Sequence, residues 1–101
     1  MYARGKSFVS PTVVIYFKKN KLQTNRLGIT SAKKIGKAVK RNRARRLIRV
    51  AFRSLLPQLN AYYDFVIVAR TRCVFASSTQ VTEDMKACFE KAGILKDEKS
   101  N

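Results

Sequence analysis

The chain has no histidine and no tryptophan, and only two cysteines, two prolines and four glycines in 101 residues. Its six carboxylates, Asp64, Glu83, Asp84, Glu90, Asp97 and Glu98, all fall after residue 63. Without histidine, the side chain best suited to moving protons near neutral pH and to binding metals is missing. The scattered acids form no cluster of the kind that holds two metal ions in a protein nuclease. No catalytic residue and no metal ligand can therefore be nominated. Cys73 and Cys88 stand in no ligand spacing and read as free thiols of a reducing compartment. No apolar run approaches the ~18 residues that span a bilayer, and no signal-type core follows Met1 to Gly5. A cytoplasmic protein without a membrane partner is expected.

What the chain does have is positive charge and enough apolar residues to fold. The formal net charge is +16 with 46% hydrophobic residues, and the length suits a single domain over 1–101. Residues 1–63 hold 16 Lys and Arg and no acid, whereas residues 64–101 hold 6 of each sign. The field is thus concentrated on the first two thirds of the chain, where it would attract a polyanion in a salt-dependent way.

The densest stretch is Lys40 to Arg53, KRNRARRLIRVAFR. On a helix, Ala44, Leu47, Ile48, Ala51 and Leu55 gather on one side and Asn42, Arg46, Arg49 and Arg53 form a stripe on the other, flanked by Arg43 and Arg45. A solvated helix face normally offsets such charge with Glu or Asp four residues away, and here there is none. From residue 41 to 53 every basic residue is Arg, which forks onto phosphate oxygens and stacks on bases. A nucleic-acid face explains the pattern better than a solubilising surface does.

Thr12 to Phe17 (TVVIYF) predicts a strand, with Tyr16 alternating away from Val13, Ile15 and Phe17 onto the other sheet face, where a base could stack on it. Arg26 to Thr30 predicts a second strand, joined to the first as an antiparallel hairpin through the polar Lys18 to Asn25. One helix through Lys33 to Leu56 would put Ile35 on the arginine side. A turn at Lys33 to Lys37, helped by Gly36, resolves this and starts the helix near Ala38 or Lys40; Pro57 ends it. Asp64 to Ala69 (DFVIVA) reads as a central strand covered on both faces and parallel to an earlier one. Ser77 and Gln80 have capping-box spacing. Val81, Met85, Cys88, Phe89 and Ala92 follow at helical spacing, and Gly93 stands at the C-cap.

The stretch RLGITSAKKIGKAVKRNRARRLIRVAFR, Arg26 to Arg53, resembles the signature region of the bacterial ribonuclease P protein subunit: a strand ending in Ser-x-Lys-Lys, a Gly-containing turn, then an Arg-Asn-Arg helix continuing Arg-Leu-Ile-Arg. Gly5-Lys6-Ser7, the DFVIVAR strand and the closing Lys91-Ala92-Gly93 agree with it. The resemblance implies an α/β (α+β) two-layer sandwich with a small mixed sheet, a long central basic helix, a left-handed βαβ crossover and a C-terminal helix, the first helix being largely missing ahead of Gly5. It implies a subunit of a ribonucleoprotein endonuclease that binds the catalytic RNA and the 5′ leader of precursor tRNA, with the cut made by the RNA and its Mg2+ and no cofactor on the protein. RNA binding would fall to Lys33, Lys34, Arg41, Asn42, Arg43, Arg45, Arg46, Arg49 and Arg53. Of these, Arg41, Asn42, Arg45 and Arg49 would line the leader cleft with Tyr2 and Tyr16, and Lys33, Lys34, Arg43 and Arg46 would face the catalytic RNA. The partners implied are ribonuclease P RNA and precursor tRNA, the free protein being a monomer. Composition alone would favour a structural RNA-binding protein of ribosomal type equally; the motif from Lys33 to Arg49 separates the two.

Overall fold

The computed structural model describes residues 6–96. Four strands form one sheet: β1 (Lys6–Val9), β2 (Val13–Lys19), β3 (Arg26–Ser31) and β4 (Tyr63–Ala69), in the spatial order β1-β2-β4-β3. Helix α1 (Ala38–Leu55) connects β3 to β4, and α2 (Ser78–Ala92) follows β4. β2 pairs antiparallel with β1 and with β4, while β3 pairs parallel with β4.

The expected hairpin between Thr12–Phe17 and Arg26–Thr30 does not form, because β4 lies between those two strands and takes the hydrogen-bonding edge of each. β4 is the most apolar strand and gains most from a central place. The crossover and the parallel pairing do match expectation, with Leu27 opposite Phe65 and Ile29 opposite Ile67. β1 is a strand that residue pattern alone did not announce: Lys6-Ser7-Phe8-Val9 is short and carries a charge, as edge strands do.

Both described helices pack on one side of the sheet, so among the described residues helices cover β4 on one face only. Tyr63, Phe65, Ile67 and Ala69 are buried towards the helices, whereas Asp64, Val66 and Val68 are half-buried on the open face. β2 repeats the alternation, with Val13, Ile15 and Phe17 inward. The core joins these residues to Ala44, Ile48, Ala51, Phe52 and Leu55 of α1 and Val81, Met85, Cys88 and Phe89 of α2. Its centre is aromatic: Phe65 stands 5.1 Å from Phe52 and 5.4 Å from Phe89, ring centre to ring centre. The wheel of α1 needs two corrections, since Leu47 is only half-buried and Phe52 takes a full core position. A position at the rim of an apolar stripe is admitted to the core when its side chain is long enough to reach, and a phenyl ring reaches.

The helix boundaries follow local chemistry. A 3₁₀ turn over Lys33–Ile35 buries Ile35, Gly36 takes φ +73°, and α1 then starts at Ala38, which is the break in phase that the sequence required. After Leu55 a 3₁₀ turn over Leu56–Gln58, with Pro57 in it, ends the helix. At α2, Ser77 Oγ accepts from the Gln80 N–H, and Gly93 closes the other end in the left-handed conformation.

One ion pair ties three strands together at the end of the sheet far from the α1 N-terminus. Asp64 accepts from Arg26 Nε (2.8 Å) and Nη2 (2.7 Å) and from Asn20 Nδ2 (2.8 Å). The guanidinium holds the Asp64 carboxyl down from 3.8 to about 2. The stabilisation is therefore complete above the unfolded value and is lost as pH falls through about 2. In acid titrations of stability, Asp64→Asn should flatten the decline between pH 4 and 2; the effect is small because the pair is partly solvated. Gly36→Ala should lower stability in urea unfolding by about 1–2 kcal/mol, because the positive φ penalises any Cβ.

Candidate nucleic-acid interface

Burying Ala44, Ile48, Ala51, Phe52 and Leu55 fixes the rotation of α1 about its axis, and the rest of the helix is left facing outward. Lys40, Arg41, Asn42, Arg43, Arg45, Arg46, Arg49 and Arg53 are all exposed. Val39, Asn42, Arg45, Arg46 and Arg49 line a shallow groove of about 490 Å³ along this surface. The structure thus brings Arg45 together with Arg46 and Arg49, although the helical wheel set Arg45 at the flank. Arg45, Arg46, Arg49 and Arg53 form no hydrogen bond or ion pair among the described residues, where Arg26–Asp64 is the one salt bridge. Their charge is left for the solvent or a partner.

The start of α1 adds to this field. Lys37 at the N-cap contributes no side-chain cap, and the first turn has no acidic residue. The unsatisfied N–H groups and the positive end of the helix dipole therefore lie beside Lys34, Lys37, Lys40 and Arg41, where an anion would be welcomed twice over.

Two of the nominated arginines have internal work. Arg41 Nη1 donates to the Gly36 carbonyl, so Arg41 buttresses the turn that leads into the helix. Arg43 Nε donates to Val74 O (2.8 Å) and its Nη2 to Ala76 O (3.3 Å), tying α1 to the 3₁₀ turn Thr71–Phe75. Lys33 opens the 3₁₀ turn before α1, and its side chain lies outside the described residues, as does Tyr2; Lys34 is exposed.

Tyr16 is half-buried on the open face of the sheet, between Ser7 and Val66 of the neighbouring strands. It stands on the opposite side of the sheet from α1 and does not line the arginine groove. Phe17 packs into the core, and Phe8 stacks against it at 5.9 Å. On the same face Val14, Val66 and Val68 make a modest apolar surface beside the tyrosine ring, bordered by the polar Ser7, Thr30 and Asp64.

Cys73 and Cys88 are buried and unbonded, and burial pushes the Cys73 thiol up to about 11 and raises Cys88 as well. No group of three His, Cys, Asp or Glu that could hold a metal occurs among the described residues, and none of their helices is long and apolar enough to cross a membrane. Phe75 is a feature that the sequence reading passed over: 76% exposed, it lies beneath Lys40 Nζ at 5.8 Å from its ring centre.

Comparison with known proteins agrees with this geometry. The family model described as Ribonuclease P matches residues 1–93. The ribonuclease P protein component of Clostridium acetobutylicum is 40% identical over 99% of this chain and 87% of its own length. That of Chloroflexus aurantiacus is 39% identical over 90% of this chain and 68% of its own. Among solved structures, the RNase P protein of Staphylococcus aureus superposes with a TM-score of 0.79 at 29% identity, covering 94% of this chain and 87% of that one. The RNase P protein of Thermotoga maritima gives 0.75 at 28% identity, covering 86% and 83%.

The cysteines give a direct test that the site uses no thiol chemistry. Native protein at pH 8 should resist alkylation by iodoacetamide at both positions, and both should react once the chain is unfolded in guanidinium, as counted by mass spectrometry.

Proposed function

The chain belongs to the ribonuclease P protein family, and from that premise we propose how its surfaces serve the ribonucleoprotein. It is a subunit of ribonuclease P and acts in tRNA processing with the ribonuclease P RNA as partner. The observation that carries the assignment of its RNA surface is the outward side of α1, where four arginines have no internal counter-charge among the described residues.

On this reading Arg46, Arg49 and Arg53 bind phosphate oxygens through the paired N–H groups of their guanidinium forks, and each phosphate neutralised releases counterions. Lys33, Lys34 and the uncapped start of α1 continue that contact towards the catalytic RNA. Asn42, Arg45 and Arg49 hold the 5′ leader of precursor tRNA along the groove they share with Arg46, with Arg41 keeping its approach in shape through the Gly36 carbonyl. Tyr16 and, from outside the described residues, Tyr2 would stack leader bases on the open sheet face. What supports a role for Tyr16 is its half-buried position on the sheet face opposite the two described helices. Because Tyr16 and the arginine groove lie on different sides of the sheet, a leader touching both would have to pass around an edge of the sheet.

The bond-breaking step is assigned to the RNA with its own Mg2+. The protein supports this by offering no acid–base pair: it has no histidine, and its acids are dispersed. Its contribution is electrostatic and positional. It screens the repulsion between two polyanions and holds the substrate where the RNA can act. We propose further that the chain binds no cofactor, works as a monomer before assembly and resides in the cytoplasm.

The deciding experiment is multiple-turnover cleavage of precursor tRNA by a bacterial ribonuclease P RNA at low Mg2+, with and without this protein. The protein should rescue cleavage, and should show no cleavage by itself. Arg46→Ala with Arg49→Ala should weaken RNA affinity and reduce the slope of log affinity against log salt by about two. Robust cleavage by the protein free of RNA would overturn the division of labour.

A further inference from the structure

A second surface feature lies next to α1, outside the arginine groove. The 3₁₀ turn Thr71–Phe75 turns Cys73 and Val74 inward, where both are buried, and Arg72 and Phe75 outward. In a 3₁₀ helix residues three apart eclipse one another, so Arg72 and Phe75 share one side of the turn. Phe75 is 76% exposed, so nearly the whole phenyl ring is open to a partner. Lys40 of α1 stands over it, 5.8 Å from the ring centre. Arg72 borders a groove of about 570 Å³ lined also by Val9, Ser10, Pro11, Arg70 and Thr71. No acid occurs between residues 65 and 82 or anywhere in α1, so the turn and the helix beside the ring carry only cations; Asp84 of α2, close enough to act on the Cys73 thiol, is engaged by Thr12 and Gln80.

The ring is also held firmly. Arg43 donates to the carbonyls of Val74 and Ala76, the residues on either side of Phe75. The Ala76 N–H returns to Cys73 O at 3.3 Å, and the Cys73 N–H to Arg70 O at 2.9 Å. An exposed aromatic on a backbone pinned from both sides loses little entropy when a flat partner settles on it.

We propose that Phe75 is a stacking platform for an unpaired base of the ribonuclease P RNA, with Lys40 and Arg72 taking the phosphates on either side of that nucleotide. This deepens the RNA-binding reading and rests on it. It extends the RNA surface from α1 across the 3₁₀ turn to the groove at Arg72, and it gives Arg43 a positioning part instead of a direct contact. An apolar protein partner fits less well, because its approach would strand Lys40 and Arg72 without counter-charge, whereas a nucleotide supplies a flat ring and two anions at once.

The chain has no tryptophan, so Phe75→Trp makes a single fluorescent reporter at the ring itself. Titrated with a bacterial ribonuclease P RNA, its emission should be quenched in step with complex formation measured independently by filter binding. Phe75→Ala should weaken the affinity about tenfold with the salt slope unchanged, since stacking releases no counterions. Arg72→Gln should reduce that slope by about one. The position is solvent-exposed, so unfolding midpoints of all three variants should match the parent. If the parent binds the RNA and Arg46→Ala weakens it, yet the tryptophan emission stays constant or Phe75→Ala binds like the parent, the platform alone is overturned. If the parent itself fails to bind the RNA, the RNA-binding reading falls and the platform with it.

Discussion

The parallel pairing of β3 with β4 is the constraint on which the rest of the molecule depends. Two parallel neighbours cannot be joined by a tight turn, so the chain must cross the sheet between them, and α1 is that crossing. Its inner side has to cover Phe65, and does so with the Phe52 ring beside the buried Ile48. Once those positions are taken, the direction of every arginine on the helix is decided. The arginine face is in this sense a by-product of sheet topology, and a rigid one, because rotating the arginines would unpack the core.

The same arrangement sets an electrostatic strain. α1 has no acid along its length, no side-chain cap and basic residues at the positive end of its dipole, each of which disfavours an isolated helix. Burial of its apolar side offsets this strain, and any polyanion laid along its outer side would relieve it further. Arg41 and Arg43 show a second use of the same residue type, since both turn a guanidinium to backbone carbonyls and hold the segments on either side of the helix start. An arginine-rich stretch is not uniformly an interface: some members build the frame that presents the others.

Much of this was legible in the residues. The phase conflict around Ile35 located the break before α1, Pro57 its end, Ser77 and Gly93 the ends of α2, and the unbroken arginines the exposed side of α1. What was not legible depended on partners far away in sequence. The hairpin between β2 and β3 is sound locally, but no local signal says that β4, more than thirty residues later, will separate them. The continuous DFVIVA run suggested two covered faces because valines tolerate half-burial, and Val66 and Val68 take that option. The residue pattern gave no place to Phe52 or Phe75, and the structure buries the first and exposes the second. The long reach of a ring admits one to the core from the stripe's rim, and the tight winding of a 3₁₀ turn ejects the other.

The central place of β4 also bears on the order in which the molecule comes into being. During synthesis β1, β2, β3 and α1 all leave the ribosome before the strand that holds them together. β1 and β2 alone are a marginal two-stranded ribbon, β3 has no neighbour, and α1 has nothing to bury its apolar side against. Up to residue 69 the nascent chain is a polycation without a fold, growing beside ribosomal RNA, and the last strand to arrive is the one that turns it into a protein.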